Sequence, residues 1–248
     1  MKYGILGQPP GRNKDYKEIA DITNKKKVLI TGGTGYLGAR IGEALSTNNY
    51  DVSLGSRHPF SRGKIIGCSQ VETDWNDPEL TFCQGFDIIF HAAGMNALDC
   101  EQDPDLAFQF NSKITERLAK KSASYGCKQF FYLSTVHVYM AHLSGCLSES
   151  SIASNTHPYA ASHLLGEQAL LNVARDSQMN GHVLRLTNCF GYPATHSSDC
   201  WGLVLNEFIR DAATNGVIKI QGYHKSRRDF LPISELNKIL VQILSTTS

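Results

Sequence analysis

Short strand-like segments alternate with helical segments along most of the chain. Strands are predicted at residues 28–31, 51–56, 69–72, 86–91, 129–134 and 182–186. Helices are predicted at residues 36–46, 105–124, 159–174 and 234–244. The clearest helix is 105–124, where Leu106, Phe110, Ile114 and Leu118 form one apolar stripe. This alternation predicts an α/β fold with a doubly wound parallel sheet and right-handed crossovers.

A glycine-rich turn joins the first predicted strand to the first helix. Its glycines permit a tight turn, close approach of a pyrophosphate and close packing of helix against strand. The free N–H groups and the positive dipole end of the helix favour phosphate. Cofactor contacts are therefore expected along the turn, at Gly32, Thr34, Gly35, Tyr36, Leu37 and Gly38.

This turn, placed between a strand and a helix, predicts a dinucleotide-binding Rossmann domain over residues 27–187. After Asn188 the pattern loosens, which predicts a small substrate lobe over 188–248, interleaved with the Rossmann domain and built from loops and one or two helices. This lobe is either minimal or truncated and completed by another chain. Residues 1–26 are polar, which predicts a mobile or loosely docked N-terminal extension, with a partner-binding arm as the alternative.

The end of the second strand governs which dinucleotide is preferred. A carboxylate at that place would bind the ribose 2′-hydroxyl of NAD, but the sequence has Ser56 and Arg57. A hydroxyl and a guanidinium can hold the 2′-phosphate of NADP, and no carboxylate repels it. We therefore expect NADP to be preferred over NAD.

Composition excludes several other classes of function. The chain has 24 basic and 23 acidic side chains, a net charge of +1, which gives no basic face for a nucleic acid. No apolar run approaches the roughly 18 residues of a membrane span. The seven cysteines are scattered without closely spaced pairs, so we expect reduced thiols, no metal site and a cytoplasmic location.

Six motifs point to a known family. They are TGGTGYLG at 31–38, HAAG at 91–94, LSTVHVY at 133–139, PYAASHLLGE at 158–167, RLTNCFGYP at 185–193 and RRDFLPISEL at 227–236. In this order they resemble the extended short-chain dehydrogenase/reductase family, which includes nucleotide-sugar epimerases, dehydratases and reductases. The resemblance runs from about Val28 to the C-terminus.

The resemblance implies a catalytic pair and a substrate site. The family's tyrosine falls on Tyr159, which would exchange a proton with a sugar oxygen while hydride moves between carbon and nicotinamide. Its hydroxyl donor falls on Thr135, while Asn188 and Arg228 match residues that meet the substrate and its diphosphate. The further implied cofactor contacts are Asp74, Trp75, His91, Ala92, Ala93, Gly94, Asn111, Tyr159 and His163.

The chain departs from the family at position 163. The family has Tyr-x-x-x-Lys, and helical i,i+4 spacing puts both side chains on one face. Here His163 replaces the lysine that lowers the pKa of the tyrosine and binds the nicotinamide ribose. His163 is either a working substitute that binds the ribose and acts when protonated, or the mark of a domain that binds cofactor with little turnover.

A second departure concerns the dehydratases of the family, which place an Asp-Glu pair after the catalytic threonine. This chain has Val136 and His137 there, which argues against elimination chemistry. The main hypothesis is an NAD(P)-dependent oxidoreductase or epimerase acting on a nucleotide-sugar or a related carbonyl compound. The alternative is a catalytically weak NADP(H)-binding regulator or scaffold. The resemblance also implies a homodimer through the helices that start near Asp105 and Tyr159.

Overall fold

The computed structural model describes residues 25–58, 65–140, 145–195, 198–220 and 227–246. The predicted extension at 1–26 therefore lies outside the described residues, apart from Lys25 and Lys26.

The core of the fold is a parallel sheet of six strands in the order β3-β2-β1-β4-β5-β6. The strands are β1 (Lys27–Thr31), β2 (Asp51–Ser56), β3 (Cys68–Glu72), β4 (Ile88–His91), β5 (Gln129–Thr135) and β6 (Asn180–Leu186). The strand order reverses direction between β1 and β4, which opens a crevice at the carboxyl ends of these two strands. The predicted doubly wound sheet is confirmed.

Seven α-helices are present in the described part of the chain. They are α1 (Tyr36–Ser46), α2 (Ala97–Gln102), α3 (Pro104–Phe108), α4 (Thr115–Ser124), α5 (Pro158–Arg175), α6 (Val204–Asn215) and α7 (Ile233–Thr246). Short 3₁₀ turns occur at Thr81–Cys83 and Val136–Val138. None of the helices in the described ranges is long and apolar enough to cross a membrane.

Alternate residues of each strand build two apolar layers, one on each face of the sheet. One layer contains Val28 and Ile30 of β1 and packs against α1 and α7. The other contains Leu29 of β1 and Phe130 of β5 and packs against α4 and α5. Because both faces are covered, the central strands are apolar over most of their length.

The helix predicted over 105–124 is not one regular helix. It begins at Pro104, runs through α3, widens into a π-helical segment at Gln109–Ile114 and continues as α4. Just before it, the short helix α2 was not predicted. The Asp103 side chain accepts a 2.9 Å hydrogen bond from the Leu106 N–H and caps α3, so the chain turns sharply between α2 and α3.

The region after Asn188 holds two short strands that the sequence pattern did not predict. β7 (Asn188–Phe190) pairs in parallel with β8 (Phe230–Pro232). Helix α6 lies between them in sequence, while α7 returns to the Rossmann domain and packs its Leu236 and Leu240 into the core. We use the term substrate lobe for β7, α6 and β8.

Candidate active site

The glycine turn lies in the crevice between β1 and β4. Gly32 has a φ of +65°, and a Cβ on it would lie 2.8 Å from the Ala93 nitrogen. A Cβ on Gly38 would lie 2.5 Å from the Gly32 carbonyl oxygen, so only glycine lets α1 sit so close to the turn. The loop Ala92–Gly94 after β4 thus forms the second wall of the crevice.

The N-terminus of α1 is open to an anion. Gly35 occupies the cap position and supplies no capping side chain, and the first turn of α1 contains no acidic residue. The Leu37 side chain packs against the core, whereas the Tyr36 hydroxyl donates a 2.8 Å hydrogen bond to the Gly191 carbonyl. The unpaired N–H groups and the glycine cradle fit the pyrophosphate of a dinucleotide.

The residues predicted to select the dinucleotide cluster at the end of β2. The Ser56 hydroxyl accepts hydrogen bonds from the Thr34 hydroxyl at 3.2 Å and from the His58 N–H at 3.2 Å. Arg57 is exposed beside it. The Ser56 hydroxyl therefore lies at the edge of the turn, and the exposed Arg57 follows it in sequence.

Asp74 and Trp75 follow β3, and their side chains have different surroundings. Asp74 is exposed, and its carboxylate accepts a 2.9 Å hydrogen bond from the Asn76 N–H. Trp75 packs edge-on against Phe82 and Phe110, with ring centroids 5.1 Å and 5.7 Å away. The Asp74 side chain is therefore accessible to a ligand, while the indole supports the wall of the site.

His91 lies beneath the site. Its ring is fully buried, with Nδ1 2.7 Å from the Thr31 hydroxyl and Nε2 3.0 Å from the Thr115 hydroxyl. Burial, followed by the neighbouring His163, lowers the pKa of His91 to about 3, so the ring is neutral. Both nitrogens are used by protein hydroxyls, and the ring braces β1 against β4 from below.

Asn111 is fixed by the π-helical segment. Its Oδ1 accepts a 2.9 Å hydrogen bond from the Met95 N–H, and its Nδ2 donates to the Ser162 hydroxyl at 3.1 Å. The wider π turn directs this side chain inward, where it joins the loop after β4 to α5. Asn111 therefore holds the second wall of the crevice in place.

Tyr159 and Thr135 come together at the carboxyl end of β5. Pro158 starts α5 and the His157 ring caps it by accepting a 3.2 Å hydrogen bond from the Tyr159 N–H, which places Tyr159 in the first turn. Burial raises the pKa of the Tyr159 phenol, and a side-chain hydrogen bond with Thr135 lowers it in part. The predicted catalytic pair is thus assembled.

His163 lies one helical turn from Tyr159, as predicted. The two rings meet edge-on with centroids 4.7 Å apart. The His163 ring is buried, and burial lowers its pKa to about 4, so it is neutral at pH 7. The geometry therefore favours a neutral hydrogen-bonding group over one that acts when protonated.

Tyr132 orients the His163 ring, and sequence reasoning missed it. The Tyr132 hydroxyl donates to the Asn111 carbonyl at 3.1 Å and lies 2.9 Å from His163 Nδ1. This pattern assigns the imidazole hydrogen to Nδ1 and leaves Nε2 as an acceptor. A Cβ on Gly94 would lie 3.9 Å from this Nε2, so the acceptor lies next to the crevice wall. A signal existed: a tyrosine on a strand covered by α5 needs a buried hydroxyl partner.

A buried ion pair, also missed by sequence reasoning, lies beside the predicted catalytic pair. The Glu167 carboxylate accepts two hydrogen bonds from Arg185 Nε at 3.0 Å and 3.1 Å and one from its Nη2 at 2.6 Å. Ser134, next to Thr135, donates a hydrogen bond to the same carboxylate. Glu167 lies two helical turns from Tyr159 on α5. The ion pair of Glu167 and Arg185, together with the Ser134 bond, therefore ties this helix to β5 and β6.

Of the residues predicted to meet the substrate, Asn188 begins β7 of the substrate lobe and Arg228 lies just before β8. Asn188 Nδ2 donates a 2.9 Å hydrogen bond to the Asp229 carbonyl, and Arg228 is exposed next to that residue. Burial and then the Arg228 charge lower the pKa of His137, which lies in the turn after Thr135. The Arg228 charge is therefore close enough to act on His137.

Comparisons with known proteins agree with this geometry. The model of the NAD dependent epimerase/dehydratase family matches residues 28–248. UDP-glucose 4-epimerase 2 of Arabidopsis thaliana is 30% identical over 184 residues, which are 67% of this chain and 53% of the relative. The dTDP-D-glucose 4,6-dehydratase of Dictyostelium discoideum is 25% identical over 240 residues, which are 85% and 54% of the two chains. The chain thus spans about half the length of these curated relatives.

Among solved structures, the chain is similar to UDP-N-acetylglucosamine 4-epimerase from Methanobrevibacter ruminantium M1 in complex with UDP-N-acetylmuramic acid. The TM-score is 0.76 at 26% identity, and the match covers 91% of this chain and 74% of that one.

Proposed function

The chain belongs to the NAD dependent epimerase/dehydratase family, and we propose that it is an epimerase or oxidoreductase that acts on a nucleotide-sugar. The observation that carries the proposal is the Thr135–Tyr159 pair at the carboxyl end of β5, beside an open glycine cradle. An intact proton donor next to a dinucleotide site favours a catalyst over a binding regulator. The curated relatives, named for nucleotide-sugars, support the substrate class.

Each residue of the proposed site has a separate role in the reaction. A bound nicotinamide dinucleotide supplies hydride transfer to or from a carbon of the sugar. The Tyr159 Oη gives a proton to the oxygen on that carbon, or takes one from it, and the Thr135 hydroxyl donates a hydrogen bond to the same oxygen. The turn Gly32–Gly38 would hold the pyrophosphate, and His163 Nε2 would accept a hydrogen bond from a ribose hydroxyl.

Tyr159→Phe tests this function. Loss of a positioned proton donor is expected to lower turnover by about 10²–10⁴-fold while nucleotide binding is kept. The assay incubates the protein and the variant with UDP-glucose, UDP-N-acetylglucosamine and dTDP-glucose, with NAD⁺ or NADP⁺, and follows products by NMR and absorbance at 340 nm. Tyr125→Phe, a change far from the site, serves as the control. Equal rates for Tyr159→Phe and the unmodified chain would refute the mechanism.

We propose further that NADP is preferred over NAD. The Ser56 hydroxyl and Arg57 lie at the edge of the glycine turn and can hold the 2′-phosphate. Fluorescence titration is expected to give tighter binding for NADPH than for NADH. Ser56→Asp places a carboxylate there, which repels the 2′-phosphate and accepts from a 2′-hydroxyl, and should reverse the order. A variant that still binds NADPH more tightly would mean that other residues choose the dinucleotide.

A homodimer is the partner we propose. A groove of about 550 Å³ runs between the outer faces of the segment 108–123 and α5, lined in part by Phe108, Leu165 and Ala169. Leu106 and Leu171 are 50% and 44% exposed on the same helices. This groove combines apolar side chains with charged residues of both signs, such as Lys113 and Glu116, and such a mixed surface can pair with the same surface of a second copy.

All seven cysteines are free thiols, in keeping with the cytoplasmic location that we also propose.

A further inference from the structure

Three residues form a closed ring of hydrogen bonds between the glycine turn and the substrate lobe. The Tyr36 hydroxyl donates to the Gly191 carbonyl at 2.8 Å, and Asn206 Nδ2 donates to the Tyr36 hydroxyl at 3.0 Å. The Gly191 N–H closes the ring by donating to Asn206 Oδ1 at 3.1 Å. The ring joins positions 36, 191 and 206, which come from three separate elements of the fold.

Asn206 of the ring is buried, Tyr36 and Gly191 are partly buried, and the polar groups of the ring are satisfied. The Asn206 side chain is 2% exposed, and its Nδ2 also donates to the Cys200 carbonyl at 3.2 Å. Burial raises the pKa of Tyr36, so its phenol keeps the proton that it donates to Gly191. A network of this kind favours one arrangement, because breaking the bond from the Gly191 N–H leaves the buried Asn206 Oδ1 without that donor.

Each member of the ring belongs to a functional element. Tyr36 is the first residue of α1, and its N–H lies at the helix end that faces the pyrophosphate. Gly191 directly follows β7, which begins at Asn188, and Asn206 lies in α6. A ligand that fixes Tyr36 therefore also restrains the strand and the helix of the substrate lobe.

We propose that Tyr36 and Asn206 are positioning residues through which an occupied phosphate turn orders β7 and α6, and so prepares Asn188 for the substrate. The inference rests on the proposed dinucleotide site. By linkage, a substrate that orders the lobe strengthens dinucleotide binding by the same factor.

Hydrogen exchange measured by mass spectrometry, with and without saturating NADPH, tests the proposal on the full chain. In the unmodified protein, NADPH is expected to slow amide exchange in the turn 32–38 and also, by roughly five-fold or more, in residues 188–192 and 204–215. In Tyr36→Phe, protection of the turn should remain while the additional protection of the lobe is lost. Asn206→Leu, which removes the other side chain of the ring at similar volume, should give the same pattern.

The control is Tyr50→Phe, which alters a half-buried tyrosine packed against the same core and should keep the pattern of the unmodified protein. Lobe protection that persists in both ring variants would overturn the inference. So would NADPH protection confined to the turn in the unmodified chain, although the proposed function would stand. No NADPH protection anywhere would overturn the proposed function and the inference together.

Discussion

His163→Lys is expected to raise turnover about ten- to hundred-fold. The native ring is neutral, because burial lowers its pKa to about 4, and it stabilises no phenolate on Tyr159. A lysine charge about 5 Å from the phenol, at an effective dielectric of 20, is worth roughly 3 kcal/mol, or about two pK units. The Tyr132 hydroxyl, which lies 2.9 Å from His163 Nδ1, can accept a hydrogen bond from the ammonium group.

The pH profile gives this prediction its sharpest readout. The rate of sugar oxidation rises with pH as the base, Tyr159, loses its proton. A lowered pKa of Tyr159 in His163→Lys should therefore shift this rise by about two pH units toward acid. Gln168→Lys adds the same charge on an exposed face of α5 and should change neither rate nor profile. Adding Tyr159→Phe to the lysine variant should remove the gain. An unshifted profile would mean that His163 already supplies what the lysine would.

Local patterns were sufficient to predict the sheet and the glycine cradle. β4, for example, is buried along its whole length at Ile88–His91, and such a run has few alternatives to a central strand. Pro158 predicts the start of α5, and with it the helical face shared by Tyr159 and His163. These features depend on residues close in sequence, which is why the chain alone reveals them.

The features that sequence missed depend on distant partners. In the π-helical segment at Gln109–Ile114, Asn111 bonds both the loop after β4 and Ser162 of α5, which are distant in sequence. Helical periodicity cannot reveal one wide turn inside a long helix. The strands β7 and β8 have three residues each, too few for a pattern, and they form only by pairing with each other.

The ion pair of Glu167 and Arg185 shows the same limit at the site. Both residues fall within motifs that carry the family resemblance, but nothing in their local sequence predicts that they meet. The structure places Arg185 against the Glu167 carboxylate and over the Tyr139 ring, whose centroid is 4.7 Å from the guanidinium carbon. The accepting carboxylate raises the pKa of Arg185, so the guanidinium remains charged at all accessible pH values.

Arg185→Met is expected to cost about 3–5 kcal/mol in the free energy of unfolding. The Glu167 side chain is 2% exposed, so removing its partner leaves a buried carboxylate with only the Ser134 hydroxyl. Lys238→Met is the matched control. It breaks the exposed i,i+3 pair with Glu235, whose side chains are 72% and 50% exposed, and should change stability by no more than about 1 kcal/mol.

Urea unfolding, with midpoint and slope fitted separately, measures both variants. A large drop in the midpoint for Arg185→Met alone would show that the buried pair holds α5 against β5 and β6. Because Ser134 precedes Thr135, the same variant should also lose turnover at temperatures where it stays folded, as the Thr135–Tyr159 geometry loosens. Equal and small losses in the two variants would mean that Glu167 finds water or another donor when Arg185 is removed, and that α5 is held in register by its apolar contacts alone.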